Sequence, residues 1–377
     1  MNIGITCYPT VGGSGAVAAE LGKALGRRGH AVHFVSYRLP FRLDDCGTNV
    51  FFHEVDVTTY SLFEYTPHDL ALAAKMAEVA RENRLDLFHV HYAIPHAITG
   101  FLAQQMLGAE APKLITTLHG TDITLLGQDR SFFEITRFGI ERSDGVTAVS
   151  EFLKRMTIEE FEIKDSIEVI PNFVDLSTFT DARPGVERTT YAPAGEKIVL
   201  HISNMRPVKR LLDVVRIFER VTREVPAVLL LVGEGPERAS AQALARRLGI
   251  QDRVRFLGRL DRVEEITSVA DVFLLPSELE SFGLSALEAM ANEVPVVGSD
   301  AGGLPEVVKH AETGFLLPVG DVEGMAARTI EILKDDEHRR ALGRAGRCRA
   351  AALFGADRIV SQYERFYEKV LGRAARG

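Results

Sequence analysis

The chain has 377 residues, 46% hydrophobic and 25% charged, a balance that excludes disorder and low complexity and suits two folded domains. Lysine and arginine number 44 against 52 aspartates and glutamates, a net charge of −8, which argues against a general nucleic-acid or anionic-membrane surface. An anionic ligand must therefore be met by a few local cations. The three cysteines, Cys7, Cys46 and Cys348, form no Cys-x-x-Cys pair and point to a reducing compartment. No basic residue precedes Lys23, so the start does not read as a signal peptide. Apolar runs such as 227–232 are too short to span a bilayer. A cytoplasmic location is expected, without stable membrane association and without nucleic acid.

Short β-rich runs alternate with helical periods. Strands are predicted at 3–6, 31–36, 52–57, 85–92, 113–118, 145–149 and 167–170, with helices at 14–28, 69–82, 95–107 and 131–142. This is the pattern of βαβ units around a buried parallel sheet. Residues 175–196 are polar and aperiodic, with two prolines and two glycines, and read as the connection between domains. The alternation resumes with strands at 197–203, 228–232, 253–257, 271–275, 295–299 and 314–317, and helices at 208–224, 236–248, 283–292 and 322–334. The tail, 337–371, reads as helical with a break near Gly355. The fold class is α/β: two doubly wound, Rossmann-like domains facing an interdomain cleft, with ligands beyond the carboxyl ends of the strands.

Gly12-Gly13-Ser14-Gly15 lies between the first strand and first helix, and Gly13-x-Gly15-x-x-Ala18 fits a dinucleotide pattern. It can be a diphosphate-facing loop, a plain turn or a nicotinamide site. The last wants a turn straight after the strand and an acid ending strand two, whereas Ser36-Tyr37-Arg38 stand there. Arg206 and Lys209, at the end of the strand 197–203, can clamp a diphosphate; as plain helix-start cations they would be solvated. In Glu280-Ser281-Phe282-Gly283-Leu284-Ser285-Ala286-Leu287-Glu288 a glycine opens a helix between two acids. The first-turn amides of Gly283, Leu284 and Ser285 would aim at an anion. Glu280 can accept from sugar hydroxyls and Glu288 from a ribose, unless both are solvated acids. His89 and His91 share one strand face. With His119 or Asp122 they could hold a metal, or the strand-end histidines could bond sugar or acceptor groups. His89 itself reads as a satisfied core histidine. No Asp-x-Asp occurs, in keeping with a metal-free clamp.

The Gly-Gly-Ser-Gly loop, His119-Gly120-Thr121-Asp122, Ser203-Asn204-x-Arg206-x-x-Lys209, Glu280 with Glu288, Pro295, and Gly302-Gly303-Leu304-Pro305-Glu306 together resemble the retaining GT-B glycosyltransferases of family 4 over nearly the whole chain. One departure is Asn292-Glu293-Val294-Pro295, where the family usually has Cys-Gly or Ala-Gly before the last two positions. The runs 4–15, 39–43 and 89–97 are more narrowly similar to the branch serving bacillithiol biosynthesis.

The resemblance implies metal-independent transfer of N-acetylglucosamine from UDP-N-acetylglucosamine to the hydroxyl of L-malate, with the α configuration kept. It implies no cofactor beyond the donor sugar nucleotide. Residues 1–175 would hold the acceptor and 190–355 the UDP-sugar, with the helix at about 356–377 packing back on the first domain. Gly13, Ser14, Asn204, Arg206, Lys209, Phe282, Gly283, Leu284, Ser285 and Glu288 would bind the donor. Tyr92, Thr117, Asn172 and Arg206 would bind the acceptor. Arg206, Lys209, Glu280 and His119 would carry the chemistry. A homodimer is compatible with this reading. The alternatives are a lipid or polysaccharide acceptor, or an NAD-dependent oxidoreductase.

Overall fold

The computed structural model describes residues 1–10, 12–43, 47–57, 66–126, 129–179 and 187–372. Cys46, Val11 in the glycine-rich opening, and parts of the expected connection and tail lie outside them. Two compact units emerge: Met1–Asn172 together with the segment from Asp357, and Phe173–Ala356.

The first unit is built on β1 (Asn2–Thr6), β2 (Ala31–Ser36), β3 (Val50–Glu54), β4 (Leu87–His91), β5 (Lys113–Leu118), β6 (Gly145–Ala148) and β7 (Ile167–Val169). Their order is β3-β2-β1-β4-β5-β6-β7, every pair parallel. The second unit is built on β8 (Lys197–Ile202), β9 (Ala227–Val232), β10 (Val254–Gly258), β11 (Val272–Leu275), β12 (Val296–Ser299) and β13 (Gly314–Leu317). Their order is β10-β9-β8-β11-β12-β13, again all parallel. Every residue of β4 and of β9 is buried, because helices cover both faces of a parallel sheet. In the second unit Leu229, Leu231, Val214, Phe218 and Leu342 share one core.

The structure departs from the sequence reading where local chemistry intervenes. The expected strand 52–57 is Val50–Glu54, because β3 pairs with β2 from Val32↔Val50 to Ser36↔Glu54. The expected helix 95–107 begins at Ile98 after a wide turn over Ala93–Ala97. Pro95 forces extended backbone at Ile94, with φ −126° and ψ 131°. The expected helix 208–224 is a single turn, Pro207–Lys209, then Leu211–Thr222, with Arg210 left-handed between them at φ 50°. Helix Glu151–Phe161 was not expected, although its signal is plain. The Ser150 hydroxyl accepts from the Leu153 amide at 3.0 Å, a standard cap, and Leu153, Thr157 and Phe161 form the buried stripe.

The last helix, Ala356–Val370, belongs to the first unit. Arg28 donates to Glu364 at 2.6 Å and to Ser361 at 2.8 Å. His30 pairs with Glu364 at 2.9 Å and with the Met1 amine at 3.1 Å. The Tyr367 hydroxyl reaches His89 Nδ1 at 2.7 Å in the core. Among the described residues no helix is long and apolar enough to cross a membrane.

Asp271 anchors the start of the second unit. Its carboxylate accepts from the Arg188 guanidinium at 2.5 Å and the Ile198 amide at 2.8 Å. Asp271→Ala leaves the buried Ile198 amide unpaired and takes the carboxylate from Arg188, which keeps only the carbonyls of Val269 and Glu196. It should lower stability by about 2–3 kcal/mol, seen as a lower urea midpoint; an unchanged midpoint would make the contact ornamental.

Candidate active site

In the second unit the strand order reverses between β8 and β11, the place where such sheets bind ligands. The loops leaving β8, β11 and β12 meet there. Lys209 Nζ donates to Glu280 Oε1 at 2.6 Å, and Ser277 Oγ donates to the same oxygen at 2.7 Å. Both contacts fall on Oε1, so Oε2 is the oxygen left to a ligand. The Glu280 carboxylate is 11% exposed and Lys209 21%, shielded enough for the pair to hold its geometry. The Glu278 amide donates to Val208 O at 2.8 Å, and the Gly303 amide to Glu280 O at 2.7 Å. Gly302, at φ +65°, lets this happen: a Cβ there would stand 2.2 Å from Glu280 O. The Gly302-Gly303 motif thus places Glu280.

Beneath the β8 loop lies a directed chain. His201 Nδ1–H donates to Leu274 O at 2.8 Å. Its Nε2 then accepts from the Ser203 hydroxyl at 2.8 Å, and Ser203 Oγ accepts the Met205 amide at 3.1 Å. Burial pushes His201 down to about 4, which keeps it neutral. The chain holds Met205 at φ 44° and turns Asn204 and Arg206 out to solvent. The Arg206 carbonyl accepts the Lys209 amide at 2.8 Å, while its guanidinium makes no ion pair or hydrogen bond with the described residues, so its donors are free. Gly283 enters the helix Leu284–Ala291 at φ +98°, leaving the first-turn amides of Leu284 and Ser285 without helical partners. Glu288 is buried one turn further on. The Phe282 ring is buried against Phe354 at 5.6 Å, which leaves its backbone as the part that can face a ligand.

In the first unit the expected residues gather at the carboxyl ends of β1, β4 and β5. The Tyr8 ring lies 4.6 Å from His96 and 5.3 Å from Tyr92, and Tyr92 lies 5.4 Å from His119. His91 Nδ1 and His119 Nε2 are 2.8 Å apart. His96 Nδ1–H donates to His91 O at 2.6 Å. The Asp122 carboxylate, fully buried, accepts the amides of Gly120 at 2.8 Å, Ala93 at 3.0 Å and His119 at 3.3 Å. Gly13 and Ser14 open the helix Gly13–Arg27 on the solvent side. Gly15 is required behind them, since a Cβ there would stand 2.9 Å from Tyr8 O.

Two acceptor candidates sit apart from this cluster. Thr117 is fully buried, and its hydroxyl is engaged by His89 Nε2 and Thr147 Oγ1, each at 2.7 Å. It supports the sheet rather than offering a free donor. Asn172 follows the edge strand β7, and its buried Oδ1 has no partner among the described residues. His89 has both ring nitrogens bonded, to Tyr367 and Thr117, and is the satisfied core histidine its strand position suggested. Among the described residues no group of three or more His, Cys, Asp or Glu side chains is set to hold a metal ion. Tyr8 and the His201–Ser203 pair escaped the sequence reading. Tyr8's place directly beyond β1 was the available signal.

Residues 11–178 match the Glycosyltransferase Family 4 model, and residues 187–349 the model of Glycosyl transferases group 1. With its two parallel sheets and strand-end loops, the chain is a GT-B glycosyltransferase belonging to the group 1 and family 4 enzymes. It is 51% identical to N-acetyl-alpha-D-glucosaminyl L-malate synthase of Bacillus anthracis, over 98% of this chain and 97% of that protein. It is 31% identical to a GDP-mannose-dependent monoacylated phosphatidylinositol monomannoside mannosyltransferase of Corynebacterium glutamicum, over 74% of this chain and 75% of that one. The fold is shared with Anabaena HepE solved with UDP-glucose, at a TM-score of 0.82 and 20% identity, covering 98% of this chain and 100% of that one.

The histidine cluster predicts acid sensitivity. Burial pushes His89 and His119 down to about 3, His96 to about 4, and His91 well below 6.5. The unfolded chain therefore binds more protons below 6.5, and stability falls with pH. Each fully neutral histidine contributes up to about 1.4 kcal/mol per pH unit. Asp122, raised by burial from 3.8 to about 6, opposes this between those values, but it is one group against four. Thermal melts should drop steadily between 6.5 and about 4; a flat melting temperature across that window would contradict the neutral cluster.

Proposed function

We propose that the enzyme transfers N-acetylglucosamine from UDP-N-acetylglucosamine to the hydroxyl of L-malate, with retention, as the first step of bacillithiol biosynthesis in the cytoplasm. The observation that carries the choice of substrates is the 51% identity, over 98% of the chain, to an enzyme named for that product.

The second unit binds the donor. Cleaving the sugar–phosphate bond leaves negative charge on UDP and positive charge on the ring. Arg206, Lys209 and the amides of Leu284, Ser285, Gly13 and Ser14 stabilise the diphosphate. Asn204 and Glu280 Oε2 address the sugar, and Glu288 the ribose. The first unit binds the acceptor, with Tyr92, Asn172 and His119 as its polar contacts and Arg206 meeting a carboxylate. Thr117 acts only through His89. Attack comes from the face the phosphate leaves, and the departing phosphate takes the malate proton. No metal ion is needed in this scheme.

The test is UDP release and product mass with UDP-N-acetylglucosamine and a panel of hydroxy acids, in excess EDTA, with GDP-mannose as the control donor. Release confined to L-malate is expected; equal release with other acids, or dependence on added metal, would overturn the reading. Arg206→Lys should lower turnover by about 100-fold, the scale for one preorganised donor, and raise the malate KM, because lysine cannot copy a planar fork. Near-normal kinetics would make Arg206 a solvated cation. Glu288→Gln should weaken UDP binding by about 1–3 kcal/mol in calorimetric titration, and unchanged affinity would remove it from the site.

A further inference from the structure

His119 is half-buried at the end of β5, and its ring has one hydrogen-bonding neighbour among the described residues, His91. The two rings stack at 5.0 Å with 24° between their planes, and the contact runs from His91 Nδ1 to His119 Nε2 at 2.8 Å. Two neutral imidazoles share one hydrogen across such a contact, and the question is which ring supplies it. The other nitrogen of His91 answers this. His91 has no solvent exposure, and its Nε2 has no partner among the described residues. A proton on Nε2 would be an orphaned buried donor, which folded proteins avoid more strictly than an orphaned acceptor. The proton therefore sits on Nδ1 and points at His119.

We propose that His91 fixes His119 as the tautomer protonated on Nδ1, so that His119 meets its substrate as a hydrogen-bond donor and not as a base. A neutral imidazole whose Nε2 accepts must carry its hydrogen on Nδ1, and His119 Nδ1 has no partner among the described residues. The Asp122 carboxylate, three residues on, takes the backbone amides of His119 and Gly120 and makes no bond to the His119 ring that would oppose the choice. His91 is itself held by the His96 bond to its carbonyl and by contact with the His89 ring at 4.5 Å. Burial keeps the cluster neutral, so the pair does not trade its shared hydrogen for a charge.

This rests on the reading of His119 as a substrate-facing residue and adds its chemical role. A donor at Nδ1 stabilises charge building on an oxygen, but it has no lone pair with which to take the acceptor's proton. As the sugar–phosphate bond breaks and the new glycosidic bond forms, the hydroxyl proton must pass to the leaving phosphate oxygen. His91 is a positioning residue, outside the contact with substrate.

The test is a long-range proton–nitrogen correlation on full-length enzyme labelled with nitrogen-15 histidine, with UDP bound, assigned through His119→Gln. His119 should show a protonated Nδ1 and a bare Nε2; the reverse pattern overturns the proposal. His91→Leu removes the shared hydrogen and should lower kcat by about 10- to 100-fold, the scale for an outer partner of an oriented histidine, with the UDP-sugar KM little changed. His91→Asn, whose amide N–H can replace Nδ1–H, should restore most of that loss. Wild-type kcat in His91→Leu, or no recovery in a folded His91→Asn, also overturns it. Because the spectrum needs no acceptor, it decides the tautomer even if L-malate is the wrong substrate, and the kinetic arm then runs with whichever acceptor the panel identifies.

Discussion

Lys209 and Glu280 meet at 2.6 Å where the loops leaving β8 and β11 come together, and the geometry of the second unit's binding end follows from that contact. Parallel strands on either side of a reversal send their chains apart and leave a crevice. Here the crevice floor is tied by an ion pair and by backbone bonds from Glu278 to Val208 and Gly303 to Glu280. A half-buried pair of this kind is close to neutral for stability, since desolvation offsets attraction. Its use is placement. A carboxylate with one oxygen committed and an ammonium with one hydrogen committed present their remaining groups in fixed directions. Donors already aligned need no reorganisation when charge develops.

The first unit solves a different problem with different material. Its strand ends carry neutral rings: Tyr8, Tyr92, His91, His96 and His119. The buried carboxylate of Asp122 is spent on three backbone amides that shape the loops after β4 and β5. Charge is thus concentrated at the strand ends of the second unit, and those of the first offer oriented dipoles. In a chain of net charge −8, neutral donors avoid the competing internal pairs that additional cations would find.

Much of the fold was legible because parallel strands buried on both faces read as apolar runs between glycine- and proline-rich breaks, as at 113–118 and 227–232. Two of the misreadings lie beside prolines: the helices expected from 95 and 208 begin only at Ile98 and Leu211, after the turns that Pro95 and Pro207 open. The charged candidates Arg206, Lys209 and Glu280 were legible for a related reason: they stand in the loops that leave β8 and β11, just beyond the apolar runs. The burial of Phe282 and Thr117 was not legible because their partners, Phe354 and His89 with Thr147, lie far away in sequence. His201 was invisible for the same reason, since its role exists only once Leu274 and Ser203 are brought to it.

The last helix of the chain completes the first unit, and this bears on how the protein is made. Domains generally fold as they leave the ribosome, the N-terminal one first. Here Arg28, His30 and His89 await Glu364 and Tyr367, which are synthesised after the whole of the second unit. The unit begun first is therefore finished last, and Phe173–Ala356 can close its own sheet while β1 to β7 still lack the helix that covers His89. A truncation that removes Glu364 and Tyr367 strikes the N-terminal sheet, and a ribosome stalled before them holds one finished domain and one unfinished one, in the reverse of their order along the gene.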